Sequence, residues 1–262
     1  DAQESRGLGD VYKRQYIYYM SILIETLKGK KTKTPIWLMR QAGRHLPEYI
    51  KIRQKYKDLM GMFLDPKVIT EISLQPVKRY GLDACIVFSD ILMIPYASGC
   101  DVSFKEGMGP QVKFKKKFNF ESHKLDPVIK GIENIKKISK VPLIGFVGGP
   151  WTTLLYCLFD KEERLQMNKE LINKNEKRID NHINELTDII SNYAIQQVNG
   201  GIDAFHIFES AAGSLEDEYL DRWCLEPTQK IIHSIKSKTD IPIIGFPRKT
   251  SKEGYVKYSN ID

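Results

Sequence analysis

Five short runs of almost uninterrupted apolar residues constrain this chain more than any other feature. They cover residues 35–39, 84–88, 143–147, 204–208 and 241–246. A strand with one wet face alternates apolar and polar residues, whereas a run that is apolar throughout has both faces buried, as in a parallel sheet covered on both sides. Helical stretches lie between the runs. Asp65-Pro66 opens one of them, with a side-chain acceptor at the cap and proline at the first helical position. That helix carries Ile69, Ile72 and Val77, and Pro76 marks a kink. A longer one places Ile179, Ile183, Leu186, Ile190 and Tyr193 on one face and is stopped by Asn199-Gly200-Gly201. Residues 102–120 alternate apolar with charged residues around Gly107 and Gly109, which predicts a β-hairpin excursion. Lys115, Lys116 and Lys117 form its solvated face. Strand, loop and helix repeated five times give an α/β fold with a parallel sheet. An open doubly wound sheet and a (β/α)8 barrel with about five of its eight units present fit this pattern equally well.

Composition narrows the partners. Of 262 residues, 42% are hydrophobic and 28% charged, the balance of a globular protein rather than a disordered one. The formal charge of +7 is mostly lysine solvated on helix faces, and the excess favours an acidic small molecule, or nonspecific contact with nucleic acid, over a basic partner. Cys85, Cys100, Cys157 and Cys224 form no C-x-x-C pair, so neither zinc nor a redox motif is signalled, and free buried thiols are expected. No apolar run is long enough to span a bilayer. Residues 16–24 follow Lys13 and Arg14 but lack a small-residue cleavage site, so they are not read as a leader. Met20 reads as the start, residues 1–19 as a non-native tail, and residues 20–262 as one catalytic domain.

In α/β folds the chemistry gathers at the carboxyl ends of the strands, and the unusual residues fall there. The first run ends Met39-Arg40-Gln41-Ala42-Gly43-Arg44, and the second ends Phe88-Ser89-Asp90. The third ends Gly148-Gly149-Pro150-Trp151 with Tyr156 beyond it. The fourth ends Phe208-Glu209-Ser210 and the fifth Pro247-Arg248. Guanidinium groups near a core need anionic partners, and their fork suits carboxylate or phosphate. Gly148-Gly149 permits close backbone approach to a ligand. Taken singly, these residues have ordinary structural uses: Arg44 pairing with Glu48, Asp90 capping the next helix. Five such strand ends in one chain make that account weak.

These same residues carry a resemblance. Pro35-Ile36-Trp37-Leu38-Met39-Arg40-Gln41-Ala42-Gly43-Arg44-His45-Leu46-Pro47-Glu48-Tyr49 resembles the N-terminal signature of the uroporphyrinogen decarboxylase family. Residues 83–92, residues 145–156, Phe208-Glu209-Ser210 with Gly213, and Ile244-Gly245-Phe246-Pro247 are similar to that family's later motifs, in the same order. The likeness runs from about residue 27 to about residue 248. Two departures stand out. His45 replaces the family's usual Tyr, and nothing matches the Gly-His-Gly stretch that ends the family's last strand. The family has three further strands, and five plus three is eight. The resemblance therefore implies a (β/α)8 TIM barrel incomplete at its C-terminus, expected to be unstable or inactive as this chain alone.

The resemblance also implies chemistry. The substrate is uroporphyrinogen III, with four acetates, four propionates and four pyrrole N–H groups. The four acetates are decarboxylated to give coproporphyrinogen III, with no metal and no organic cofactor. Arg40, Arg44 and Arg53 are assigned to substrate carboxylates, with Gln41 hydrogen-bonding beside them. Asp90 faces the pyrrole N–H groups, Tyr156 and Ser210 hydrogen-bond carboxylates, and Phe146 and Phe208 form apolar walls. Asp90, Arg40 and Tyr156 are assigned to the reaction itself. A cytoplasmic homodimer with no nucleic-acid or membrane partner is implied. One rival is a corrinoid-dependent methyltransferase of the same fold class, which uses a zinc site of His and Cys ligands and lacks the Arg-Gln-Ala-Gly-Arg signature. A second is a nonenzymatic anion- or nucleic-acid-binding module, which fits the charge but not the absence of basic residues interleaved with aromatics.

Overall fold

A computed structural model describes residues 21–30, 33–105 and 109–261. The expectations for residues 1–19 and for Gly107 lie outside them. Four strands, β1 (Cys85–Ile86), β4 (Leu143–Gly148), β5 (Ala204–Phe208) and β6 (Ile243–Gly245), pair in parallel in that order. A separate antiparallel pair, β2 (Asp101–Lys105) and β3 (Gly109–Lys113), is the hairpin expected within residues 102–120. Each parallel strand lies beside the next one in sequence, with helices making the crossovers, which is the βαβ arrangement that the apolar runs predict.

The period of two along each strand divides the interior. Cys85, Val87, Leu143, Val147, Phe205 and Ile207 point into a large core shared with the helices. Ala84, Ile144 and Ala204 face the other way and meet Leu23, with Ile86, Ile244 and Trp37 packed around them. Helix Pro66–Tyr80 starts at Asp65, whose carboxylate accepts from Lys67 N and Val68 N, and runs through Pro76 without a break in its assignment. It buries Ile69 and Ile72. Helix Lys169–Asn199 buries the five residues read as its apolar face. Gly200 and Gly201, the latter at φ +101°, end it. At the amino end of the sheet Asp203 accepts from Leu143 N and pairs with Lys136 at 2.6 Å.

The first expected strand is not one. Residues 35–39 make no ladder. Ile36 N donates to the Asp83 carboxylate at 2.7 Å, and Asp83 N to Ile36 O at 2.9 Å. The edge of β1 that such a strand would cover is occupied by a side chain. Gln41 Nε2 donates to Ala84 O at 3.0 Å, and Ile86 N donates to Gln41 Oε1 at 3.3 Å. One amide thus imitates a peptide group, and Pro35 has no N–H with which to compete.

A second glutamine does the same higher up. Buried Gln197 accepts from Phe146 N and donates to Phe146 O. Its oxygen lies 2.5 Å from where a Cβ on Gly145 would stand, which explains that glycine. Beyond Val87 the β1–β4 ladder stops: Phe146 N is taken by Gln197, and Phe88 N, on the far edge of β1, bonds to Ser73 Oγ. The β1–β4 ladder therefore ends before the carboxyl ends of the strands, and Asp90 lies beyond it.

Candidate active site

Residues 39–46 are anchored to β1 by Gln41, which commits both ends of its amide to Ala84 and Ile86. One N–H and the oxygen of Gln41 thus serve the backbone, because an open strand edge leaves peptide groups that must be paired. Arg40 is exposed and has no hydrogen-bond or ion-pair partner among the described residues. Arg44 is exposed. Arg53 is half-buried at the end of helix Pro47–Arg53 and donates from Nη1 to Tyr56 O at 2.6 Å. Glu48, the neighbour first considered for Arg44, receives both arms of Arg79 at 2.8 Å, and that fork holds its carboxyl down at about 2.

Tyr49 ties this group to β1. Burial raises its phenol, while the charges of Arg53 and Arg44 oppose the rise, so both arginines lie in its neighbourhood. Its ring meets Phe88 edge-on at 6.0 Å, two residues before Asp90. Asp90 is half-buried. Desolvation lifts its carboxyl to about 6 against the pull of the Leu92 N–H, which donates at 2.9 Å. No other donor reaches its side chain among the described residues. Asp90 does not cap the following helix, Met93–Ala97, whose N-cap is Leu92 and which has no side-chain cap; its single turn contact leaves most of the acceptor capacity of the carboxylate free.

The next two strand ends adjoin this one. A Cβ on Gly148 would stand 3.0 Å from Ile91 Cβ, and Gly148 is in register with Phe208. Phe146 and Phe208 meet edge-on at 5.4 Å, forming one apolar wall. Ser210 is half-exposed, and its hydroxyl is unbonded among the described residues. Tyr156 is the only residue of helix Pro150–Leu158 that is not buried. Tyr49 thus has Arg44 and Arg53 near it and Phe88 against its ring, while Phe146 and Phe208 form a wall at the next strand ends.

Two residues here received no role from the sequence. Glu209 is fully buried. It accepts from Trp151 N at 3.3 Å, from Thr152 N at 2.6 Å and from the Thr152 hydroxyl, which in turn accepts from Ala211 N at 3.0 Å. Desolvation lifts its carboxyl to about 7, against those hydrogen bonds. Its Oε2 lies 2.2 Å from where a Gly149 Cβ would be, so the close approach that Gly149 permits is to this internal carboxylate. That corrects the reading of Gly149 as a ligand cradle. Gly148 likewise makes room for Thr153 and Ile91. His206 is buried between Trp37, at 5.7 Å, and Phe208, stacked at 3.9 Å. Neither ring nitrogen has a partner among the described residues, and burial lowers its pKa to about 4, so it is neutral at physiological pH.

A depression of about 530 Å3 elsewhere is lined by Glu216, Asp217, Glu218 and Lys249, the wrong sign for a polycarboxylate. Among the described residues no group of three or more His, Cys, Asp or Glu is placed to hold a metal, and no helix is long and apolar enough to cross a membrane.

Comparison with known proteins places the whole of this region in one family. The family model described as uroporphyrinogen decarboxylase (URO-D) matches residues 20–261. A uroporphyrinogen decarboxylase of Rickettsia rickettsii is 40% identical over 258 residues, covering 93% of this chain and 74% of its own length. That of Rickettsia bellii is 40% identical over 240 residues, covering 87% and 71%. Among solved structures, a methyltransferase from Methanosarcina mazei superposes with a TM-score of 0.63 at 18% identity, over 85% of this chain and 67% of that one, which is a likeness of fold alone. With the signature motifs, the strand ends and the match from residue 20 to residue 261 in agreement, the chain belongs to the uroporphyrinogen decarboxylase family.

Proposed function

We propose that the activity this sequence encodes is removal of the four acetate carboxyls of uroporphyrinogen III to give coproporphyrinogen III in tetrapyrrole biosynthesis, with no metal or organic cofactor. The observation that carries the reading is Asp90, a carboxylate that accepts one backbone N–H and lies beyond the end of the β1–β4 ladder. A porphyrinogen turns four pyrrole N–H groups toward its centre, and an ionised carboxylate receives donors without presenting any of its own.

The chemistry is balanced by protons. A proton adds to a pyrrole carbon and makes the ring cationic. The bond from the acetate methylene to its carboxylate breaks, carbon dioxide leaves, and the bonding pair moves into the ring. The methylene then takes up a proton to become methyl, and the ring carbon loses the one it had gained. Asp90 stabilises the cationic ring electrostatically in a site poor in water. Arg40, Arg44 and Arg53 receive carboxylates through forked donors, Tyr156 and Ser210 hydrogen-bond others, and Phe146 with Phe208 flank the macrocycle. Arg40 is the candidate proton source.

The same reading takes the four parallel strands as an arc of a (β/α)8 barrel, supported by their sequential order and by the shared fold. It takes residues 20–262 as one catalytic domain, and it takes the protein as a cytoplasmic homodimer without nucleic-acid or membrane partners, on family likeness. The test is anaerobic incubation of the full-length protein with uroporphyrinogen III, with the products oxidised and separated by carboxylate number. Stepwise appearance of seven- to four-carboxylate porphyrins is expected. Unchanged eight-carboxylate substrate from folded protein overturns the assignment.

A further inference from the structure

Arg164 is a half-buried cation that nothing above employs. Its position follows from a local sequence device. Asp160 caps the short helix Lys161–Leu165 by accepting from Glu163 N at 2.9 Å, and Glu163 Oε2 accepts in return from Asp160 N at 2.9 Å. This reciprocal box turns the chain back after helix Pro150–Leu158 and lays the Arg164 guanidinium over the Tyr156 ring, 4.4 Å from its centre. Nη1 donates to Phe159 O at 2.6 Å.

The rest of the fork is unused. Among the described residues Arg164 has no carboxylate within ion-pair distance, and the nearby Asp160 is committed to its cap. Other arginines show what a paired fork looks like here: Arg79 takes both oxygens of Glu48, and Arg222 bridges Glu176 and Asp180. Burial lowers the pKa of Arg164, against the opposing charges of Tyr156 and Asp160. Arg53, assigned to a substrate carboxylate, has the same arrangement: half-buried, one N–H on a backbone carbonyl, the remaining fork free. Tyr156 is the one side chain of its otherwise buried helix that reaches the surface, and it emerges under this guanidinium. A phenol hydroxyl beside a forked cation makes a two-part receptor for a carboxylate.

We infer that Arg164 and Tyr156 together form a carboxylate subsite, with Arg164 a binding and specificity residue for an acidic side chain of the substrate. The inference rests on the decarboxylase reading for the identity of the polycarboxylate. In it the fork receives one carboxylate while the Tyr156 hydroxyl donates to the same group, and the cation–ring contact holds both parts in place before the ligand arrives.

The test uses the full-length protein, with uroporphyrin, the stable oxidised octacarboxylate, as binding probe and its octamethyl ester as the uncharged control. Uroporphyrinogen turnover is followed in parallel. Arg164→Gln keeps a donor for Phe159 O and removes the charged fork. Its affinity for uroporphyrin is expected to fall by about tenfold, with KM rising by a similar factor, kcat nearly constant and the ester unaffected. Arg164→Lys keeps the charge and recovers part of the loss, and the ionic-strength dependence of binding is shallower in the Gln variant than in the parent. If Arg164→Gln is too unstable to assay, Arg164→Lys decides: parental affinity and parental salt dependence reject a forked contact. Parental binding by Arg164→Gln overturns the subsite while leaving the decarboxylase reading intact. A parent that neither binds uroporphyrin nor turns over uroporphyrinogen sinks the decarboxylase reading itself, and the subsite with it.

Discussion

Asp90 and Glu209 stand at the carboxyl ends of β1 and β5, and desolvation raises both carboxyls, to about 6 and about 7. Beyond that they differ. Glu209 receives two backbone N–H groups and a hydroxyl, sits where Gly149 leaves room for it, and joins the end of β5 to the first turn of helix Pro150–Leu158. Its charge also lies at the positive end of that helix. Asp90 receives one N–H, from Leu92. A carboxylate whose oxygens are already used acts as a structural tie, and one with spare acceptor capacity is available to the donors of a ligand. A raised pKa alone does not separate the two; the number of donors does.

The largest effect that would break this comparison is at Asp90. Asp90→Asn keeps the size and one acceptor oxygen, removes the charge and brings an NH2 group toward the pyrrole donors. Loss of one preorganised electrostatic contact costs on the order of 10²–10³ in kcat. Thermal melting and coproporphyrinogen formation, measured on the same preparation, are expected to show a near-parental Tm with turnover down by that factor. Turnover within a few-fold of the parent would reduce Asp90 to a turn residue that holds the Leu92 N–H.

Glu209 should respond in the opposite sense. Glu209→Ala strands the donors of Trp151, Thr152 N and the Thr152 hydroxyl in a buried place and opens a cavity, a loss of about 3 kcal/mol. Urea unfolding should register it, while turnover per folded molecule stays within a few-fold. A stable Glu209→Ala protein without turnover would make Glu209 a chemical participant and erase the distinction. A smaller effect sharpens the Asp90 side of the molecule. Arg40→Lys keeps a positive charge and loses the planar fork. It should lower kcat/KM by about tenfold with melting unchanged. An equal loss of stability and activity would mean that the guanidinium supports the fold instead.

What the sequence made legible, and what it did not, follows the range of the interactions. The runs at 143–147 and 204–208 are strands because β-branched and aromatic residues filling both faces leave few alternatives, and that signal is local. The Asp65-Pro66 start and the Gly200-Gly201 stop are local too. The run at 35–39 carries the same signal and yet makes no ladder, because the edge of β1 is closed by the Gln41 side chain across more than forty residues. Ser89-Asp90 and Phe208-Glu209 look alike as strand ends. What makes Glu209 a tie is Thr152, 57 positions away, and no periodicity reports that contact. Arg164 was invisible for a similar reason: its capping box is readable at Asp160 and Glu163, but the ring it covers belongs to the helix before.

The smallest expected effect is a difference in pH dependence, and it isolates Glu209 from the other buried groups. Its folded pKa, about 7, lies above its ordinary 4.5. A carboxyl raised on folding contributes its stability in full below the ordinary value and loses it as pH climbs through the folded one. The parent should therefore weaken as pH rises from about 4.5 to about 7, with a slope from this residue of about 1 kcal/mol per unit of pH. Asp90, raised to about 6, contributes in the same direction at lower pH. His206, lowered to about 4, contributes in the opposite direction, losing stability as pH falls below its ordinary 6.5. Glu209→Gln has the shape of the protonated acid and does not titrate. Subtracting its urea-unfolding curves from those of the parent, point by point from about pH 5 to about pH 8, cancels Asp90 and His206 and leaves Glu209 alone. The difference should move against the parent as pH rises and flatten above about pH 7, once the buried carboxylate is ionised. A flat difference across the whole range would mean that the Trp151 and Thr152 donors and the helix terminus fully offset desolvation, placing the Glu209 carboxyl at an ordinary value in the folded protein.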